Sequence, residues 1–217
     1  MSDIATARRM MVDGQVRTAD VHNPELIEAM LTVPREQFVP PALAEQAYTD
    51  GDLAIAKGRA LLKPMVLAKL IQAAMVTSGD RVLDVGCGLG YSAAVLAQLA
   101  GSVIALEEDP DLARQANQAL AAGGAGEVIV VHGPLTAGWT DAAPYDVILL
   151  EGATEVTPQA LGKQLKPSGR LACIFGRAPA AKAMMFRLAE GRLVGRPIFD
   201  AAAALLPGFA APAAFVF

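Results

Sequence analysis

Residues 82–92 read VLDVGCGLGYS, and this stretch decides the fold. A short apolar run holding Asp84 meets three glycines at alternate positions, Gly86, Gly88 and Gly90, and then opens into a helical pattern at Tyr91. A glycine-rich turn between a strand and a helix lets a ligand approach the backbone closely, beside a helix N-terminus. Working outward, VIAL at 103–106, VIVV at 128–131, DVILL at 146–150 and RLACIF at 170–175 are further runs of the kind found in strands buried on both faces. Helices are expected between them. One covers Tyr91 to Ala100. A second starts at Asp109-Pro110, a cap followed by proline at the first helical position, and stops at Gly123-Gly124. A third starts at Thr157-Pro158 and reaches about Leu165. Strand, helix and strand at this spacing, joined by right-handed crossovers, predict an α/β protein with a doubly wound, mainly parallel sheet.

Before Val82 the pattern changes. Residues 4–33 and 41–48 carry helical spacing, broken by Pro34, Pro40 and Pro41. Lys57 to Lys63 reads as a loop, and a helix follows from about Met65 to Val76. The expected organisation is an N-terminal helical extension over 1–78 and a nucleotide-type domain over 79–217, with Ser78-Gly79-Asp80 as a turn between them.

Composition narrows the function. The 217 residues are 53% hydrophobic and 18% charged, which suits one well-packed domain and not a disordered chain. A net charge of -4 without an extended Lys/Arg cluster argues against nucleic acid as a partner. The first 20 residues show no apolar signal-like run, and the tail ALLPGFAAPAAFVF is broken by Pro207 and Pro212, short of the roughly 20 apolar residues a membrane span needs. It reads as a strand or loop packed on the body. Cys87 and Cys173 fit neither a disulfide framework nor a CxxC metal spacing, so a cytoplasmic protein without a metal centre is expected.

The glycine loop gains meaning from VIALEEDP, which sets Glu107 at the end of the next strand, 17 residues beyond Gly90. A carboxylate there can accept both hydroxyls of a ribose. The GxGxG spacing departs from the dinucleotide GxGxxG, and an acid just before the first glycine repels a pyrophosphate. A cationic nucleoside is favoured, and S-adenosyl-L-methionine (AdoMet), with its sulfonium and amino acid tail, fits. Asp84, Gly86, Cys87, Gly88, Gly90, Glu107, Glu108 and Gly133 are the candidate cofactor residues, with Glu107 on the ribose and Gly86 and Gly88 beside the amino acid portion. Cys87 has no adjacent His or Lys to activate it and reads as a small filler of the turn.

Several segments carry a family resemblance: MMVDGQVR at 10–17, AMLTVPREQFVP at 29–40, AYTDGDLAI at 47–55, the glycine loop, GWTDAAPYDVILLEGA at 138–153 and PQALGKQLKPSGRL at 158–171. In this order they resemble the protein-L-isoaspartate O-methyltransferase family. The resemblance implies a class I AdoMet-dependent methyltransferase fold with a Rossmann-like sheet. It also implies carboxyl methylation of isoaspartyl residues in damaged proteins, leaving S-adenosyl-L-homocysteine (AdoHcy) as product and an ester that collapses to a succinimide.

Two stretches depart from the family pattern. Where the family has G-x-G-Q-T-I-S-Q-P, this chain reads AKGRALLKP from Ala56 to Pro64, so Ala60 stands at the Thr position, Leu62 at the Ser position and Lys63 at the second Gln. After the third strand, Gly133-Pro134-Leu135 replaces G-D-G, and an acid expected near the adenine is missing. Asp50 matches the acid of the AY-x-D segment and, with the replaced position Leu62, marks the candidate catalytic region. Arg59 and Lys63 add positive charge, either to attract a carboxylate substrate or as a solvated loop face. Because a carboxylate acceptor is already ionised at pH 7, it needs no general base, whereas an alcohol, phenol or amine does. The candidates for such a base are His22, His132 and Asp50. The alternatives to isoaspartyl methylation are an AdoMet-binding relative that is catalytically silent and one that methylates a different acceptor.

Overall fold

The computed structural model describes residues 4–212. The N-terminal segment forms α1 (Ile4–Met11), which runs into a π turn and a 3-10 turn that end at Asp20. Helix α2 (Pro24–Thr32) follows, capped by Asn23 Oδ1, which accepts from the Leu26 N–H at 2.9 Å, with proline at the first helical position. The expected helix at 41–48 is a 3-10 turn, Pro41–Gln46. The expected loop at Lys57 to Lys63 instead holds the turn and second strand of a β-hairpin, β1 (Leu53–Ala56) and β2 (Arg59–Leu61), turned at Gly58, whose φ of 71° favours glycine. Helix α3 (Pro64–Ala74) then leads into the sheet.

The sheet elements alternate as the sequence indicates: β3 (Arg81–Val85), α4 (Tyr91–Ala97), β4 (Ser102–Glu107), α5 (Pro110–Ala122), β5 (Ile129–His132), β6 (Tyr145–Thr154), α6 (Gln159–Gly162) and β7 (Leu165–Phe175). Two antiparallel strands complete it, β8 (Lys182–Ala189) and β9 (Arg192–Asp200). The order is β5-β4-β3-β6-β7-β8-β9, with the first five strands parallel. Helix α6 is shorter than expected because the chain re-enters the sheet early: the Tyr145 N–H donates to the Gln164 carbonyl at 2.8 Å, and Leu165 already pairs with Tyr145.

Successive strand residues alternate between two apolar layers, as the period-2 pleat requires. Val82, Ala105, Val147 and Ala172 pack on the side covered by α2, α3, α4 and α5. Leu83, Leu106, Ile148 and Leu171 pack on the other, which is covered by Leu135, Leu161 of α6, Leu206 and Phe209. The sheet is therefore wound on both faces but unevenly, since the β5-to-β6 connection carries only a 3-10 turn at Thr140–Ala142. Leu206 and Phe209 bear out the tail as a packed loop up to residue 212; the rest of that segment lies outside the described residues.

The core does not divide at residue 78. Met11, Leu26 and Leu67 share one cluster with Val147 and Met185. Arg35, fully buried, ties the layers together: it donates to the Ala47 carbonyl and to the Leu62 carbonyl, both at 2.7 Å, and its guanidinium lies 4.7 Å from the centre of the Tyr91 ring. The N-terminal segment is thus built into the same hydrophobic body as the sheet.

Candidate functional site

The order of the sheet reverses at β3, which has β4 on one side and β6 on the other. In open α/β sheets the crevice beyond the strand ends at such a point is where ligands bind. The glycine loop lies there. Gly86, Gly88 and Gly90 all adopt left-handed φ, 78°, 59° and 95°, a conformation that side-chain-bearing residues resist. The loop is pinned to β4 by the N–H groups of Gly86 and Cys87, which donate to the Leu106 carbonyl at 2.8 and 3.2 Å. Cys87 is buried and its thiol is pushed well up, first by desolvation and then by the charge of Asp84, so it fills the turn as an inert side chain.

Three carboxylates converge at these strand ends: Asp84 on β3, Glu107 on β4 and Glu151 on β6, all buried. Asp84 Oδ2 accepts from Ser92 Oγ at 2.6 Å, while Oδ1 has no partner among the described residues; Glu151 Oε1 is also buried without one among them. Burial raises Asp84 to about 7, Ser92 opposing and Glu107 adding to the rise. Burial, then the Asp84 charge, pushes Glu151 well up. Unpaired acceptors and suppressed ionisation are what a pocket built for a cationic ligand shows when its own charges face each other.

Glu107 is the most heavily engaged of the three. Its Oε1 accepts from the N–H groups of Glu108 at 2.9 Å and Asp109 at 3.2 Å. Its Oε2 accepts from the Gly88 N–H at 2.8 Å and from Arg59 at 2.7 Å. The same Arg59 nitrogen donates to the Gly86 carbonyl at 2.6 Å, and the side chain is only 6% exposed. The expectation that Arg59 lies on a solvated loop face, or draws in a substrate carboxylate, is overturned: the β1–β2 hairpin folds over the glycine loop and delivers the guanidinium to Glu107. Ile55 of the same hairpin covers Gly88, 2.5 Å from where a Cβ would stand. In donor set the crevice fits AdoMet, with acceptors for ribose and for positive charge; in this conformation Arg59 and Ile55 fill part of that space.

Other expected residues lie elsewhere. Leu62 is 1% exposed and packs in the main apolar cluster, so the residue at the family Ser position is part of the core, not of the site surface. Asp50 is exposed in the turn before β1. The Glu108 side chain is exposed, and only its backbone joins the Glu107 network. Gly90 faces Leu120 of α5, and the Gly133 N–H donates to the Glu107 carbonyl at 3.0 Å, with the Trp139 ring 3.7 Å from where a Cβ would stand. His132 is exposed, with Nε2 3.0 Å from the Glu108 carbonyl, and His22 has Nδ1 3.2 Å from the Asp20 carbonyl. Lys63 is half-buried, its N–H donating to Asp52 at 2.8 Å. Glu151 and Arg59 were not among the expected cofactor residues. For Glu151 the signal was present, an acid directly after DVILL at a strand's carboxyl end.

The raised Asp84 has a stability consequence. Its folded value lies above the unfolded one near 3.9, so its contribution is fully present below about pH 4 and is lost as pH rises toward 7. Ligand-free Asp84→Asn is therefore expected to gain on wild type between pH 5 and 8, by about 2 kcal/mol or several degrees of Tm. Thermal melts of both proteins across that range check it; a difference that stays constant or shrinks with pH contradicts it.

Comparison with known proteins is consistent with this geometry. The family model "Protein-L-isoaspartate(D-aspartate) O-methyltransferase (PCMT)" matches residues 7–195. A protein-L-isoaspartate O-methyltransferase of Methylorubrum extorquens is 42% identical over 190 residues, 88% of this chain and 82% of that one. One from Pelotomaculum thermopropionicum is 41% identical over 172 residues, 79% and 75% of the two chains. Among solved structures, a protein-L-isoaspartate O-methyltransferase superposes with a TM-score of 0.80 at 24% identity, over 93% of this chain and 66% of that longer one. A Plasmodium falciparum structure described as a putative protein-L-isoaspartate O-methyltransferase in complex with AdoHcy gives 0.79 at 18% identity, over 92% and 97%. These likenesses establish the class I methyltransferase fold. Among the described residues no group of three or more His, Cys, Asp or Glu side chains is placed to hold a metal, and no helix is long and apolar enough to cross a membrane.

Proposed function

The chain belongs to the protein-L-isoaspartate(D-aspartate) O-methyltransferase family of AdoMet-dependent carboxyl methyltransferases, and we propose that it methylates the free α-carboxylate of isoaspartyl residues in proteins. The observation that carries the reading to this site is the convergence of Asp84, Glu107 and Glu151 around a glycine loop at the point where the sheet order reverses. When bound, AdoMet supplies a methyl group on a sulfonium. Glu107 holds the ribose hydroxyls, and the unpartnered oxygens of Asp84 and Glu151 face its positive charge. Gly86 and Gly88, which carry no side chain, are the backbone positions beside the amino acid portion.

The acceptor carboxylate is ionised at neutral pH, so the work left to the chain is orientation and exclusion of water. Leu206 against Gly86 provides apolar cover for that purpose. None of the three candidate bases, Asp50, His22 or His132, belongs to the buried cluster. A second reading, an AdoMet-binding relative that is catalytically silent or takes another acceptor, is favoured by one feature: the hairpin carries Ala60, and Leu62 is committed to the core, so neither position offers a hydroxyl. The buried free thiols of Cys87 and Cys173 support a reducing, cytoplasmic setting.

Single-turnover transfer to an isoaspartyl peptide at saturating AdoMet tests the chemistry. The rate is expected to stay flat between about pH 6 and 8 in wild type and in His132→Gln, because a carboxylate of ordinary pKa is fully charged there. A steep rise that His132→Gln abolishes would falsify carboxyl transfer and assign His132 to deprotonating a different acceptor.

A further inference from the structure

We propose that Arg59 is an internal competitor of the cofactor: its guanidinium occupies the Glu107 carboxylate that a nucleoside ribose requires, so that cofactor affinity is set by release of the β1–β2 hairpin. The inference rests on the reading of Glu107 as the ribose-binding acid. Arg59 meets Glu107 Oε2 at 2.7 Å and the Gly86 carbonyl at 2.6 Å, the acid and one of the glycines expected to face the ligand. The remaining capacity of Glu107 is taken by the Gly88, Glu108 and Asp109 N–H groups, which fix the carboxylate in place and leave the Arg59 position as the one a ligand hydroxyl has to take.

The contact is built to be exchanged. Among the described residues Arg59 Nε and one terminal nitrogen are buried without partners, so the guanidinium pays for its burial with one carboxylate oxygen and one carbonyl. It sits on a hairpin of four and three residues that pairs only with itself, apart from the main sheet, and that carries a register shift between Ala54 and Ala56. A ligand that binds only the released state has its apparent affinity reduced by the fraction of molecules in that state. A plain structural ion pair predicts the opposite outcome, that loosening it weakens binding.

Titration calorimetry of the full chain with AdoHcy, comparing wild type with Arg59→Gln, tests the proposal. Gln is shorter, neutral and still able to donate, and its AdoHcy Kd is expected to be about tenfold lower than that of wild type or better. An equal or weaker affinity in folded Arg59→Gln overturns it. Wild type alone gives a second measurement, stopped-flow mixing with AdoHcy read by the fluorescence of Trp139, the single tryptophan, which lies beside Gly133. The observed AdoHcy association rate is expected to level off at high ligand as hairpin release becomes limiting; a rate that rises linearly throughout overturns the proposal even if the variant does not fold. Tighter binding in Arg59→Gln without isoaspartyl methylation upholds this inference and refutes the acceptor assignment, whereas methylation without tightening does the reverse. Absence of AdoHcy binding in both proteins refutes the inference and the assignment of Glu107 to the ribose together.

Discussion

Glu107→Ala is expected to lower AdoHcy affinity at least 100-fold and to destabilise the ligand-free protein by about 3–5 kcal/mol. The first effect follows from removing the charge-assisted hydrogen bond to the ribose, worth roughly 1.5–3 kcal/mol when shielded from water, together with the acceptor that anchors the Gly88 N–H of the glycine loop. The second follows from what the carboxylate does without ligand. It accepts from Arg59 and from three backbone N–H groups that fix the glycine loop and the start of α5, and all four donors lose it at once. Removing one member of a buried ion pair leaves the other charge uncompensated, which typically costs several kcal/mol. Calorimetric titration and denaturant unfolding measure the two effects. In a double-mutant cycle, Arg59→Ala added to Glu107→Ala should recover part of the stability loss, because the stranded guanidinium is gone. Unchanged AdoHcy affinity in Glu107→Ala contradicts the assignment of the crevice.

The same pair marks the limit of what the sequence reveals. Glu107 is legible because a ribose-binding acid has to stand at the end of the strand after the glycine loop, and that position is fixed by topology. Arg59 is not, because an arginine in a seven-residue run of mixed character is normally solvated, and its partner is 48 residues away. The hairpin that carries it escapes a periodicity reading for a simple reason: strands of four and three residues are too short to establish alternation.

Strands β3 to β7 were readable because both faces of the sheet are buried, which writes continuous apolar runs into the sequence. β8 and β9 have one edge and many exposed side chains, and in KAMMFRLAEGRLVGRPIFD the one four-residue apolar run is AMMF at 183–186. Its signal was the turn: Glu190 and Gly191 both adopt positive φ, 50° and 74°, as a two-residue hairpin turn requires. Leu62 shows the reverse difficulty. Alignment marks it as a lost hydroxyl, whereas only packing reveals that its side chain is core and that its carbonyl anchors Arg35.

The largest expected effect is all-or-none. An isoaspartyl residue offers a free α-carboxylate with the chain continuing through its side chain, whereas in an aspartyl residue the free carboxylate is the β one, one methylene further from the backbone. A site whose contribution is orientation discriminates strongly between two such carboxylates, since misplacing the nucleophile by about 1 Å costs on the order of 100-fold in rate. The decisive measurement is transfer of label from AdoMet to an isoaspartyl peptide beside its aspartyl twin, with the full chain at saturating cofactor. Label on the isoaspartyl peptide alone is the predicted result. Label on neither, with AdoHcy binding intact by calorimetry, or equal label on both, contradicts the assignment of this protein as an isoaspartyl carboxyl methyltransferase.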